Sequence, residues 1–281
     1  VVTDVHVKNE WAVEVEQGKR FEFGQNWTRF LATLDEGRIA IAEQSLRDML
    51  GVEQLVGKSF LDIGSGSGLF SLVARRLGAT VYSFDYDPQC VACTAELKRR
   101  YFTDDDAWIV EQGSALDMDY LASLGTFDIV YSWGVLQHTG AMWQSFENTG
   151  TLVADDGFLF IAIFNDQGRA SRIWRVVKRA YNGLPRRWKF LVLWPAFAQL
   201  WGPIMLRDIW HGRPFATWRN YSRSRGMSAW RDVVDWVGGY PFEVAQPGAI
   251  HEFYRERGFS LLKLKTTYHH GCNEYVFVRR Q

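Results

Sequence analysis

Apolar residues along this chain recur in two alternating rhythms. Short apolar runs occupy 60–63, 80–84, 108–110, 127–133 and 158–164, and between them apolar positions fall three or four apart, as in 69–77 and in the stripe Cys90, Cys93, Leu97, Tyr101. The runs suit buried strands, and the wider period suits amphipathic helices. Strand and helix taken in turn predict an α/β fold with a doubly wound, mainly parallel sheet. The end of the chain breaks the rule: 250–257 reads as a helix ended by Gly258, and 259–267 and 273–279 as two strands on a short link. Parallel neighbours need a long crossover, so that link implies an antiparallel last strand.

Ahead of the first strand, Ile39, Ala42, Leu46, Met49 and Leu50 form a helical stripe with Gly51 as C-cap. Residues 21–27, Phe-Glu-Phe-Gly-Gln-Asn-Trp, are too aromatic for a free tail and are expected to pack on the body. A longer interruption lies at 165–246, where strand and helix cease to alternate. Its apolar run 190–206 is broken by Pro195, Gln199, Gly202 and Pro203. A membrane span needs about twenty predominantly apolar residues, so spanning is not expected.

The candidate chemistry gathers after the first strand, in Phe60-Leu61-Asp62-Ile63-Gly64-Ser65-Gly66-Ser67-Gly68. Strand, tight turn and helix follow one another, and glycines let a ligand approach the backbone closely. The loop is expected to leave N–H groups free at a helix N-terminus. Its spacing departs from the phosphate-binding form, Gly-x-Gly-x-x-Gly. Asp62 ahead of the glycines suits a ligand carrying an ammonium group better than a pyrophosphate. The second strand ends in Asp85, placed to accept hydrogen bonds from both hydroxyls of a ribose, while Asp87 before Pro88 reads as the next N-cap.

These residues resemble motif I of class I S-adenosylmethionine-dependent methyltransferases. Phe127-Asp128-Ile129-Val130 resembles motif IV of the same family, and His138 falls where O-methyltransferases related to ubiquinone biosynthesis carry a histidine after that strand. The resemblance covers roughly 57–164 and 247–281. It implies a Rossmann-like, seven-stranded methyltransferase fold that binds S-adenosyl-L-methionine and releases S-adenosyl-L-homocysteine. Asp62, Gly64, Ser65, Gly66 and Gly68 would hold the methionine end, Asp85 with Tyr86 the ribose, and the turn with Ser132, Trp133 and Gln137 the reacting end. The family's usual Gly-Asp after the third strand is Gly113-Ser114 here, so an adenine contact would pass to Ser114 or to the backbone of Ala115 and Leu116. Helices before motif I resemble a cover over the cofactor, which places Trp27 either against adenosylmethionine or in a staple to the core.

On this reading 1–56 is an arm and cover helix, 57–164 the cofactor core, 165–246 a helical cap, and 247–281 the completion of the sheet. His138 is the candidate general base for an oxygen nucleophile on a small-molecule acceptor. Gly238-Gly239-Tyr240-Pro241-Phe242-Glu243 reads as a hinge with a phenol and a carboxylate. His269-His270-Gly271-Cys272 invites a metal reading, but adjacent side chains rarely converge and methyl transfer from a sulfonium needs no metal, so none is expected. Cys90 and Cys93 share a helical stripe and read as core.

Charge changes the picture in one place. The chain holds 32 Lys+Arg and 32 Asp+Glu, a formal net charge of +0. The segment 165–246 nevertheless carries 14 basic and 5 acidic residues and eight of the 13 tryptophans. A basic, tryptophan-rich cap suits a substrate lid, a homodimer face or peripheral membrane contact. A nucleic-acid methyltransferase is the competing reading, although no nucleobase-amino tetrad follows the fourth strand and no nucleic acid is expected; a catalytically silent partner subunit is the third. Three cysteines and a polar N-terminal stretch without a signal sequence fit a cytoplasmic protein, peripheral to the membrane if the cap touches it.

Overall fold

A computed structural model of the chain describes residues 10–225, 229–267 and 271–280. The sheet is built from β1 (Ser59–Ile63), β2 (Thr80–Asp85), β3 (Trp108–Gln112), β4 (Phe127–Trp133), β5 (Val153–Phe164), β6 (Phe259–Lys265) and β7 (Cys272–Arg279). Their order across it is β3-β2-β1-β4-β5-β7-β6. β1 to β5 pair in parallel, and β7 runs antiparallel between β5 and β6. The seven-stranded sheet with a reversed last strand is therefore as expected. Strand order reverses between β1 and β4, and an open α/β sheet binds ligands beyond the carboxyl ends at such a point.

The helices are α1 (Gly24–Leu31), α2 (Glu36–Leu50), α3 (Leu69–Arg76), α4 (Pro88–Tyr101), α5 (Met118–Leu124), α6 (Met142–Thr151), α7 (Arg169–Gly183), α8 (Phe190–Trp210), α9 (Ala216–Arg225), α10 (Ala229–Gly238) and α11 (Pro247–Arg255). One sheet face packs its apolar side chains with α2, α3 and α4 through Ile39, Leu46, Leu72 and Leu97. The other packs with α6 and α11 through Phe146, Ile250 and Tyr254. The α2 stripe of Ile39, Ala42, Leu46, Met49 and Leu50 is buried in the first cluster, and Ser45 of the same helix lines the cavity beyond the sheet.

The cap has a cluster of its own, centred on Trp174, Tyr181, Leu193, Trp201, Val233 and Phe242. Sequence reading breaks the apolar run at its prolines, yet α8 continues through Pro195 and Pro203 for 21 residues. Each proline forfeits one backbone bond, to the carbonyls of residues 191 and 199. Pro195, Pro203, Leu191 and Gln199 all lie on the exposed side, where the lost bond costs least. The inner side, with Leu193, Ala196 and Trp201, holds the helix on the cap.

Candidate active site

A cavity of about 410 Å³ lies beyond the carboxyl ends of β1, β2, β3 and β4. Asp62, Gly64, Ser65, Gly66, Asp85, Tyr86, Ser114, Ala115, Leu116, Trp133, Trp27 and His138 all line it. Three residues that sequence reading places here do not. Gly68 stands at the head of α3 at φ 79°, where a Cβ would come within 2.9 Å of the Thr94 backbone, so its task is to let α3 and α4 approach. Ser132 is buried and donates to the carbonyl of Ile63 at 3.0 Å, tying β4 to β1. Gln137 is buried away from the cavity, with its side-chain amide nitrogen 3.7 Å from Cys272 Sγ and its backbone carbonyl accepting from the Glu243 N–H.

Four of the five N–H groups of the glycine loop are engaged within the fold. Gly64 and Ser65 both donate to the carbonyl of Phe84, Gly68 to that of Ser65, and Gly66 to an Asp85 carboxylate oxygen at 2.9 Å. The N–H groups of Ser67, Leu69 and Phe70, all in the cavity lining, stay free at the head of α3 as expected, so the glycines themselves are not the cradle. The glycines serve close approach instead: a Cβ on Gly64 would lie 2.4 Å from a Val135 methyl, and one on Gly66 3.2 Å from the Trp27 indole. Trp27 thus lies over the loop, carried there by α1. That helix is pinned in turn by Asp87, which accepts from the Gly24 N–H at 2.9 Å and from the Gln89 N–H at 2.8 Å.

Two carboxylates shape the floor. Asp62 accepts from the Ser71 hydroxyl at 2.5 Å, and behind it Ser83 donates to Ser71 at 2.8 Å and the Trp108 indole to Ser83 at 2.9 Å. This buried polar chain crosses from β3 to β1 and fixes the carboxyl. Burial lifts Asp62 to about 7, with the Ser71 hydroxyl opposing and the neighbouring Asp85 adding to the rise. Asp85 is lifted to about 6, chiefly by burial, against the N–H groups of Gly66 and Asp87 that its two oxygens accept. Serines on a strand and a helix carry no signature in the sequence, and their polar chain went unread.

The same holds for Tyr131 and Glu274. The Tyr131 hydroxyl is buried in the cavity wall without a hydrogen-bond partner, and that burial above all, with the charges of Asp62 and Glu274 adding to it, holds its proton firmly. Glu274 comes from β7 and accepts from the exposed Trp133 indole at 3.4 Å. In the sequence the alternating strand at the chain's end carries no sign of a cavity residue, and in the sheet it lies between β5 and β6.

His138 closes the far wall. Its Nδ1 is 2.6 Å from the carbonyl oxygen of Pro241, and its ring packs on Phe23 and Phe164 at centroid distances of 5.2 and 5.5 Å. A carbonyl only accepts, so Nδ1 carries the proton and Nε2 keeps the lone pair. Burial drives the imidazole down to about 3; the Pro241 carbonyl opposes this, and the cations Lys178 and Arg20 reinforce it. The segment 238–243 is therefore a bracket for this histidine rather than a hinge. A Cβ on Gly238 would lie 2.2 Å from the Phe21 ring, one on Gly239 3.2 Å from His138, and Glu243 caps α6 through the Met142 N–H. His269 and His270 lie outside the described residues.

Above the cavity the arm contributes Trp11, Arg20, Phe21 and Phe23. Arg20 donates to the His138 carbonyl at 2.9 Å, pairs with Glu14 at 2.6 Å, and lies 4.6 Å above the Tyr86 ring. The buried Trp11 indole N–H has no partner.

A family model described as a methyltransferase domain matches residues 29–230, well over half of the chain. This chain is a class I S-adenosylmethionine-dependent methyltransferase. Over 112 residues the methyltransferase is 31% identical to a ubiquinone biosynthesis O-methyltransferase of Parvibaculum lavamentivorans, covering 38% of this chain and 40% of that one. Over 73 residues it is 37% identical to a ribosomal protein L11 methyltransferase of Methylococcus capsulatus, covering 26% and 25%. The chain thus matches from a quarter to two fifths of the length of these relatives. Among solved structures, the magnesium protoporphyrin IX methyltransferase of Synechocystis with bound S-adenosylhomocysteine shares the fold, at a TM-score of 0.53 and 15% identity over 91% of this chain and 93% of that one.

The cavity suits S-adenosylmethionine by its own chemistry. The carboxyls of buried Asp62 and half-buried Asp85, with Glu274, offer acceptors to a cationic ligand, and the unpartnered Tyr131 hydroxyl offers a donor between them. Ionised Asp62 and Asp85 favour such a ligand, so binding is expected to release protons and to tighten as pH rises from about 5 to 8. In the free protein the sign is opposite. Both carboxyls sit above their unfolded value of 3.8, so the native chain holds more protons than the unfolded one between about pH 4 and 7, and stability falls as pH rises through that window. Calorimetry of S-adenosylhomocysteine binding in buffers of different ionisation enthalpy measures the proton release. Identical apparent enthalpies in all buffers near pH 6.5 would refute it.

Proposed function

We propose that this methyltransferase transfers a methyl group to a hydroxyl of a small aromatic acceptor, with His138 as general base. The observation that carries the reading is the bond from His138 Nδ1 to the Pro241 carbonyl at the cavity wall, which keeps Nε2 unprotonated and fixes the ring. Bound S-adenosylmethionine supplies an electrophilic methyl group on a sulfonium. Asp85 and Tyr86 would hold the ribose side, Asp62, Tyr131 and Glu274 the charged methionyl side, and Ser114 with Ala115 and Leu116 the adenine side. Leu116 donates its N–H to the Ser114 hydroxyl at 3.2 Å, so Ser114 shapes that loop as well as lining it.

An acceptor entering beside His138 meets Phe21, Phe23, Trp133 and Trp11, a mostly aromatic wall with one unpartnered N–H donor. Such a wall favours a flat ring with an oxygen substituent. The relatives named for ubiquinone biosynthesis O-methylation support a hydroxyl over other acceptors. As the acceptor loses its proton to Nε2, the Pro241 carbonyl offsets through Nδ1–H part of what burial and the cations Lys178 and Arg20 cost the imidazolium, while the aromatic arm excludes water. The test is a screen of phenolic, quinol, sugar and amine acceptors, with S-adenosylhomocysteine release as readout. Phenols or quinols are expected to turn over; turnover confined to amines or sugars would refute the reading.

A further inference from the structure

The cap leaves one long face uncovered. Leu191, Trp194, Leu206 and Ile209 stand out from α8 at 53, 57, 69 and 54% exposure, and Trp210 at its end reaches 89%. Positions 191, 194, 198, 202, 206 and 209 fall on one side of a helix, and no charged residue interrupts them. At about 1.5 Å per residue the stripe runs for roughly 30 Å. On α7, which packs against α8, Ile173 and Val176 are 60 and 69% exposed. The turn between the two helices exposes Arg186, Arg187 and Trp188.

Charge says what covers this face. Residues 167–207 hold nine Lys+Arg and no Asp or Glu. Of the nine only Lys178 is buried, where it donates to the Trp236 carbonyl and lies 4.2 Å from the centre of that indole. The cations therefore border the apolar stripe with few acidic partners, Arg207 pairing with Asp208 at 3.8 Å, while the chain outside 165–246 has 18 basic and 27 acidic residues. The molecule is divided electrically, with its positive part on the exposed apolar face.

We propose that this face docks the protein on an anionic lipid bilayer, with α8 lying in the interfacial plane. Aliphatic and indole side chains enter the headgroup boundary, and the flanking arginines meet the lipid phosphates. A second copy placed symmetrically on the same face would set these cations near their own equivalents. A nucleic acid would satisfy the cations and leave the leucines without a partner. Crossing the bilayer is a different matter. Residues 186–210 are long and apolar enough by length and composition, but insertion would strip Leu193, Ala196 and Trp201 from the cap cluster and carry in Asp208, which holds the Thr217 N–H and hydroxyl at 2.8 Å.

One end of the docked face lies near the arm that covers the cavity. Lys189, at the head of α8, feels the charge of Glu22, and Glu22 sits between Phe21 and Phe23 of the cavity wall. The backbone of the arm is equally close to α7, since a Cβ on Gly18 would lie 2.5 Å from the Asn182 carbonyl oxygen. A protein docked in this way holds its arm beside the lipid headgroups.

The test is sedimentation with vesicles of phosphatidylcholine alone and of phosphatidylcholine with phosphatidylglycerol, at low and high salt. Two variants accompany the wild type: Leu191→Gln with Leu206→Gln and Trp210→Gln, and Arg186→Gln with Arg187→Gln. Circular dichroism and S-adenosylhomocysteine binding check that each is folded. The wild type is expected to bind the anionic vesicles, more weakly in high salt, and each variant to lose about tenfold or more in partitioning. Three results overturn the proposal: no wild-type binding to anionic vesicles at low salt, unchanged binding by the folded apolar variant, or a wild-type dimer in light scattering that the apolar variant dissociates. None of them bears on the identity of the methyl acceptor.

Discussion

His138→Ala is expected to lower turnover on a hydroxyl acceptor by roughly a hundredfold or more, the usual contribution of a positioned general base, while S-adenosylhomocysteine affinity stays within a few-fold. Alanine also removes the ring from between Phe23 and Phe164 and frees the Pro241 carbonyl, so a second variant is needed. His138→Asn keeps a donor for Pro241 and has no basic nitrogen. A structural role predicts that Asn restores activity; a base predicts that it does not. The pH profile adds an independent reading. With the imidazole driven down to about 3, Nε2 is unprotonated across the neutral range, and turnover at saturating cofactor should show no acid limb near 6.5. Near-normal turnover in both variants would remove His138 from the chemistry.

The sheet was legible because its signal is local. Each of β1 to β5 is a compact apolar run, and each following helix carries the complementary period, so element type and order follow without tertiary information. The short link before β7 even gave its direction. Asp62, Asp85 and the glycines were legible for a related reason: a turn between strand and helix joins sequence position to place in the sheet. What the sequence hid depends on contacts between distant segments. Gly64 looks like a ligand cradle, but the atom it makes room for is a Val135 methyl from the turn after β4. Gln137 and Ser132 sit one helical or strand step from cavity residues and face away from them, and such alternation cannot be phased before the register is known. Glu274 enters the cavity only because β7 inserts beside β5, and Tyr131 because β4 pairs with β1 in the register that sets it beside Asp62. The helix α8 looks broken in the sequence because its two prolines are visible there, whereas the exposed side on which both lie is set only by packing.

Asp85→Ala should weaken S-adenosylhomocysteine binding by about a hundredfold or more. Hydrogen bonds to an ionised carboxylate contribute roughly 1.5 to 3 kcal/mol each, and two ribose hydroxyls would lose their acceptor. The structure adds a second loss. Asp85 is also the latch of the glycine loop, one oxygen accepting from Gly66 and the other from Asp87, both at 2.9 Å. Without it the Gly66 N–H is left unsatisfied under Trp27, and the turn that carries Asp87, hence the pin on α1, loses its tie. Part of the lost affinity therefore comes from a loosened site rather than from missing ligand bonds. Asp85→Asn separates the two: its amide still bonds a hydroxyl, but it presents N–H where one of the two backbone donors needs an acceptor. If the ribose contact dominates, Asn should recover a substantial part of the affinity; if the latch dominates, Asn should resemble Ala, and both variants should show faster amide hydrogen exchange at Gly66 and Gly24. Calorimetric affinity and exchange rates measured on the same preparations decide between them. Wild-type affinity in Asp85→Ala would contradict both roles.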